Sequence, residues 1–371
     1  MTEPTDRPTV LLLVSAGSGR DLALAFTRLG AAVIIVPEDA DAATLEARID
    51  SEKARYVVAD SAEVAADTLI AAADHNSVEV FPTPRSARLS MDREGLRRLA
   101  ADELGLPTVP FWFAGSIEEL TAVAEHAGFP LLVTPVAVPV VDGTVAGQSV
   151  MTRPDDVEAA WNLAAEAGPA PARVMAETVV DVDDEITLLT IRNVGGSGPT
   201  VQFSEPIGHH RATGGALETW QPHQLSPAAL DAARSVAARI VNSLGGRGVF
   251  AVDLLVRGDE VYFSTVRPRP HETGLVTLRS QRLTQFELHA RAILGLSTDT
   301  IMISPAAAEI SDGRSAKNVR GAQPLAEALA VAESDVRFIG DTFVALATAP
   351  DVVRARDRAH QVSTALHKSG S

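Results

Sequence analysis

The run FSTVRPRPHETG, residues 263–274, places Thr265, Arg267, His271 and Glu272 close together in the chain. It follows VFAVDLLVRGDEVY, and Arg257-Gly258-Asp259 reads as a hairpin turn between two strands. Asp253 on the first strand and Arg267 at the end of the second are then an acid and a base on adjacent strand ends. Such groups commonly pair. His271 orients its own loop or serves as a general base, and the first is the more ordinary role. His209 and His210 suggest a metal pair by type, but successive residues of a strand face opposite sides, so no shared metal is expected there. No Ser-His-Asp arrangement or zinc spacing stands out.

A second cluster lies near the start. TVLLLV (9–14) is an apolar strand followed by SAGSGR and the helical stretch DLALAFTRLG. Gly17 and Gly19 have the first spacing of a dinucleotide fingerprint, but Leu22 stands at its third position. A nicotinamide cofactor is therefore not expected. A tight turn into a helix remains, or a phosphate or small substrate at that helix start. Further strands AAVIIVP, RYVVAD and VEVF alternate with helices, which predicts a parallel, doubly wound sheet. Ligands on such sheets bind at the carboxyl ends of the strands. That edge holds Ser15 to Arg20, Glu38 and Asp60. Asp60 and Glu272, if they face one cleft, favour a cation or an amine.

The elements that must carry these residues fall into three segments. Residues 1–110 are the doubly wound region. Residues 111–304 mix short strands and helices: FPLLVTPV, GQSVMT, ARVMAETVV, DEITLLTI and TVQFSEPIG, then a helix capped by Ser226, begun by Pro227 and stopped at Gly245. Residues 305–371 offer a helix near Pro324–Glu333, strands at Val336–Ile339 and Phe343–Thr348, and a helix from Pro350. The fold class is α/β and α+β.

Length and composition set bounds. The chain has 371 residues, enough for two or three domains, and 46% are apolar. The net charge of −16 disfavours nonspecific binding to nucleic acid or to an anionic membrane. There is no cysteine, hence no disulfide framework and no thiolate chemistry. Met1–Pro8 is short and polar, unlike a signal peptide, and no apolar run is long enough to span a bilayer. A cytoplasmic protein acting on a small molecule is expected.

MDREGLRRLAADELGLPT (91–108), DEITLLT (184–190), EPIGHH (205–210), WQPHQLSP (220–227) and RPRPHETGLVTL (267–278) resemble the formate-dependent phosphoribosylglycinamide formyltransferase family, nearly end to end. The resemblance implies a Rossmann-like N-terminal domain, an ATP-grasp central domain and a small β-rich C-terminal domain. It further implies ATP and magnesium as cofactors, a homodimer, and a reaction in which ATP and formate give formyl phosphate. The formyl group then passes to the amine of glycinamide ribonucleotide.

Residue by residue, the resemblance makes Arg93 a nucleotide-phosphate arginine. Glu177, with Thr178 to Val180, becomes the adenine hinge, and Glu185 the ribose carboxylate. Asp60 stands where the family has a substrate-binding glutamate, and Glu272 replaces a substrate-binding aspartate. Of the family's two magnesium glutamates, the first is Asp253 and the second is Thr265. A hydroxyl is a poor exchange, since magnesium prefers hard anionic oxygens. Arg267, where the family has a small polar residue, takes over part of the metal's charge or pairs with Asp253. Thr134 stands where the family has a phosphate lysine. The glycine-rich loop VPVVDGTVAGQS has Asp142 and no lysine, and keeps Gly143, Gly147 and Gln148. The substrate-phosphate turn before FVALATAP is deleted, leaving Asp341, Thr342 and the nearby Arg337.

All these losses act on phosphate or on its metal. Phosphoryl transfer is mostly positioning and charge stabilisation, and removing one such group typically costs about 10²- to 10³-fold in rate. Two outcomes are open: a transformylase with degraded ATP, metal and phosphate contacts, or a non-catalytic or repurposed binding or regulatory protein. Trp220 is expected to pack rather than to stack on a base. The charges of EGLRRLAADEL, apart from Arg93, are expected for the most part to mark a solvated helix face.

Overall fold

The computed structural model describes residues 7–15, 19–61, 64–75, 77–138, 140–141, 144–170, 172–195, 198–211, 215–311, 319, 321–340 and 342–368. Gly17, Asp142, Gly143 and Asp341 lie outside them. The chain folds around an N-terminal parallel sheet and two further sheets. Strands β1 (Thr9–Val14), β2 (Ala32–Pro37), β3 (Tyr56–Ala59) and β4 (Glu79–Phe81) form the parallel sheet, in the order β2-β1-β3-β4. Its strands are short apolar runs joined by helices, as burial on both faces requires. Gly19 caps the helix Arg20–Arg28 at φ 75°, and a Cβ there would meet Val14 Cγ1 at 2.2 Å. Only glycine fits that turn, so the glycine has a packing reason independent of any phosphate.

A small sheet follows: β5 (Phe111–Ala114), β6 (Leu131–Pro135), β9 (Ser149–Met151) and β10 (Val174–Thr178), in the order β5-β10-β6-β9, with the two-residue strands β7 (Val140–Val141) and β8 (Thr144–Val145) paired beside it. Helices Ile117–Ala127 and Val157–Ala167 pack on it around Leu120, Leu131, Val133 and Met151.

The third sheet is nine-stranded and contains β11 (Asp184–Gly195), β12 (Gly198–Phe203), β13 (Ile207–Arg211), β14 (Leu217–Gln221), β15 (Gly248–Arg257), β16 (Glu260–Arg267), β17 (Ala306–Ile310), β18 (Ser334–Ile339) and β19 (Thr342–Thr348). Its order is β16-β15-β11-β13-β14-β17-β19-β18, with β12 on β11. Strands after residue 305 therefore continue the same sheet through the β14–β17 pairing. Ser226 caps the helix Pro227–Leu244 through Ala229 N–H, with Pro227 at its first position and Gly245 after its last.

One apolar cluster joins the first and third sheets. Val10, Leu12, Leu22 and Phe26 pack with Leu189, Val249, Leu288, Ile310 and Val344. No helix among the described residues is long and apolar enough to cross a membrane.

Candidate functional site

The hairpin β15–β16 turns at Gly258, φ 58°, and carries a bulge between Asp253 and Leu254. Across the bulge Asp253 faces Thr265 directly, and on the other side Asp253 faces Thr187 of β11. These three side chains form one row across three strands. Arg267 lies two residues beyond Thr265, diagonal to Asp253 and within reach of a long side chain. Its Nη1 donates to Asp253 Oδ2 at 2.5 Å, while Thr187 Oγ1 donates to Asp253 Oδ1 at 2.6 Å. The expected acid–base pairing of the strand ends is thus present. Both carboxylate oxygens are engaged, and the Asp253 side chain is only 14% exposed. Among the described residues no group of three or more His, Cys, Asp or Glu is placed to hold a metal ion.

A cleft of about 630 Å³ opens between the parallel sheet and the RPRPHETG loop. Gly19, Arg20, Asp21 and Asp60 line one side, and Arg269, His271 and Glu272 another, with Phe338 to Gly340 closing it. Asp60 and Glu272 do share this cleft. Asp60 sits at the carboxyl end of β3, its N–H bonded to Leu13 O. Burial pushes its carboxyl up to about 7; Arg269 opposes the rise and Asp21 adds to it. Arg269 is itself drawn down by burial. Glu272 Oε1 accepts from Arg211 Nη2 at 2.7 Å. His271 caps the short helix Glu272–Val276, accepting from Thr273 N–H, so its imidazole orients the loop. Burial, reinforced by Arg267 and Arg269, holds it neutral, well below the usual imidazole range.

The residues aligned with a nucleotide site lie between the small sheet and the third sheet. Glu177 is buried in β10 and accepts from Arg97 Nη2 at 2.6 Å; Arg97 Nη1 donates to Phe263 O at 3.0 Å. Arg93 donates to Pro135 O, at the end of β6, and to Val138 O in the turn beyond it. Burial lowers its guanidinium, and Glu177 counteracts this. Thr134 is buried, and its hydroxyl accepts from Gln148 Nε2 at 2.9 Å. Thr178 N–H and Val179 N–H donate to Pro110 O and Pro130 O, and Val180 follows where the chain leaves the sheet. Glu185 lies on β11 with its side chain 55% exposed, 3.9 Å from His209 Nδ1. Arg337, on β18, pairs with Asp335 at 3.0 Å.

The charges of EGLRRLAADEL are mostly solvated, with Arg98, Asp102 and Glu103 exposed, but one of them is not: Arg97 is 7% exposed, and the half-buried Glu94 accepts from Arg98 and from Arg173 across to the small sheet. Arg173, followed by Arg98, holds the Glu94 carboxyl down at about 2. The i, i+4 spacing of Arg93 and Arg97, which puts both on one helix face, was the available signal. Arg269, Arg211 and Thr187 were also missed; they gain their places only through tertiary contacts. His209 and His210 point to opposite sides as the strand period demands, the first nearly buried and the second exposed. Trp220 packs, with Arg356 4.2 Å over its ring and its Nε1 donating to His223 Nδ1 at 3.1 Å.

Comparison with known proteins gives the same architecture. The ATP-grasp domain family matches residues 99–286. The formate-dependent phosphoribosylglycinamide formyltransferase of Corynebacterium glutamicum (strain R) is 44% identical over 385 residues, covering 96% of this chain and 93% of the relative. The Rhodococcus jostii protein of that name is 42% identical over 382 residues, covering 96% and 94%. The structure of glycinamide-RNase-transformylase T from Mycobacterium tuberculosis superposes with a TM-score of 0.82 at 46% identity, over 96% of this chain and 99% of that one. An ADP complex of an N5-carboxyaminoimidazole ribonucleotide synthetase superposes with a TM-score of 0.83 over 98% of this chain and 99% of that one, at 18% identity, which speaks to the fold alone.

Proposed function

Since the chain belongs to the formate-dependent phosphoribosylglycinamide formyltransferase family, we propose that it is a divergent member that keeps the amine-binding cleft and has lost the magnesium-dependent activation of formate by ATP. The observation that carries this is the commitment of Asp253, with one oxygen on Thr187 and the other on Arg267. Magnesium demands near-ideal octahedral oxygen geometry and is usually held by one or two carboxylates. Here one carboxylate of the row is replaced by Thr265 and the other is neutralised by a guanidinium. The donor set does not fit the ion, and no step is assigned to it.

The ATP-facing residues tell the same way. Thr134 supplies no positive charge and its hydroxyl is already bonded, Arg93 is spent on main-chain carbonyls, and Glu177 is locked to Arg97. Nucleotide binding is therefore weak. In the cleft, Asp60 and Glu272 remain able to accept N–H groups from an amine-bearing ligand. Binding a cation there pulls the Asp60 proton off, so affinity rises as pH passes through about 7.

Calorimetry with ATP, with magnesium and then with EDTA, tests the proposal, alongside an ADP-release assay with formate and glycinamide ribonucleotide. Wild-type protein is expected to bind ATP no tighter than millimolar, equally in both buffers, and to release ADP at background. Thr265→Glu combined with Thr134→Lys and Arg267→Ser is expected to gain at least tenfold in affinity, only with magnesium. Micromolar binding by the wild type that vanishes on chelation, with ADP formed, would show a working transformylase instead.

A further inference from the structure

The pairing that closes the metal position leaves a guanidinium with spare donors. Arginine carries five N–H donors in a planar fork. The Arg267 guanidinium uses one on Asp253 and makes no other side-chain hydrogen bond among the described residues. The Arg267 side chain is 24% exposed against 14% for Asp253, so part of the guanidinium remains open to solvent while the carboxylate is largely covered. Asp253 is in turn fixed by Thr187, a buried residue in mid-sheet, so the fork is held from behind rather than left to swing.

The surroundings add positive potential. Arg267, Arg269, Arg211 and His209 all act electrostatically on the buried His271. Arg211 is bonded to Glu272, and Arg269 lines the cleft with Asp60. In a chain of net charge −16, this gathering of bases is local and directional. A planar fork with parallel N–H bonds matches a planar carboxylate or one face of a phosphate, and such bidentate pairs are among the stronger hydrogen bonds.

We propose that Arg267 is a tethered cation that makes this end of the site a metal-free receptor for a small oxyanion, a carboxylate or a phosphate. Asp253 both orients the fork and competes with the anion for it, so the site is weak, with dissociation constants in the millimolar range. It rests on the proposal above that no divalent ion is held here.

The test is calorimetry in EDTA with two probes, sodium formate and inorganic phosphate, on wild type and on Arg267→Met, Arg267→Lys and Asp253→Asn. One or both anions are expected to bind the wild type and to be insensitive to added magnesium; which of them does so identifies the source class. Arg267→Met is expected to lose at least tenfold, and Arg267→Lys to keep part of the affinity. Asp253→Asn keeps an acceptor for Thr187 but removes the competing charge, so it is expected to bind the anion several-fold tighter. A carboxylate–metal site predicts the reverse for that variant. Unchanged affinity in Arg267→Met, or weaker binding in Asp253→Asn, overturns the oxyanion site. If neither anion binds and magnesium alone also fails to bind, only this inference falls. If magnesium alone binds the wild type, the loss of the metal falls with it.

Discussion

Arg97→Met is expected to destabilise the protein by about 3–5 kcal/mol, the range for removing one partner of a buried ion pair. Arg97 and Glu177 are 8% and 11% exposed at the side chain, and the variant leaves the Glu177 carboxylate without its 2.6 Å donor. It also frees the carbonyl of Phe263 on β16 and removes the guanidinium lying 5.7 Å from the Phe111 ring centroid. Three segments therefore lose one common contact. Arg97→Met with Glu177→Leu is expected to recover most of the loss, because an apolar pair does not leave a buried charge. Urea unfolding of the two single variants and the double variant measures this as a coupling energy. If the single loss is below about 1 kcal/mol, or the effects simply add, the pair is not the tie we describe.

Asp60→Asn is expected to change how stability depends on pH. The Asp60 carboxyl is held at about 7 in the folded protein, mainly by burial, against an ordinary value of 3.8. Below about pH 4 both folded and unfolded chains carry its proton, and the favourable difference is fully present. Between about 4 and 7 the unfolded chain ionises while the folded one does not, so stability falls across that window. At about 1.4 kcal/mol per pH unit over about three units the whole fall is on the order of 4 kcal/mol. Asparagine does not titrate, so the variant is expected to be the more stable protein at pH 8 and to lack this slope. Glu94, held at about 2 chiefly by Arg173, acts in the opposite sense at lower pH, and it is common to both proteins. Chemical denaturation at half-unit pH steps gives both curves. Parallel curves would mean that Asp60 is solvated and titrates normally. The same substitution is expected to abolish amine binding in the cleft.

Much of this was legible from residue types in order. The alternation of apolar runs and helices gave the parallel sheet, and the Gly258 turn gave the β15–β16 hairpin. The hairpin alone would set Ser264 opposite Asp253; the bulge between Asp253 and Leu254, which residue types do not announce, shifts the register so that Thr265 and Arg267 share the face of Asp253. Asp60 could be placed at the ligand edge because ligands meet such sheets at strand ends, whereas Glu272 was set opposite it only by the family resemblance. What stayed hidden depends on packing across distant segments. Arg97 reads as a surface charge on a polar helix until β10 is laid over it. Arg269 looks like one more residue of a loop until the parallel sheet closes against it. The continuation of the third sheet from β14 to β17 was equally silent, because the short strands AAAEI and FVALATA carry no mark of their neighbour.

The apolar cluster shared by the first and third sheets has a mechanical consequence. Leu22 and Phe26 on one side and Leu288, Ile310 and Val344 on the other are packed as a single interior. The walls of the cleft, from Gly19 and Asp60 to Phe338, stand on elements that this interior welds together. Such a jaw cannot open without exposing its own filling. The small sheet, by contrast, owns a separate interior and is pinned to the rest by polar clasps, Arg97 on Glu177 and Arg173 on Glu94. A displacement of the small sheet would load those clasps and leave the shared interior, and with it the width of the cleft, unchanged.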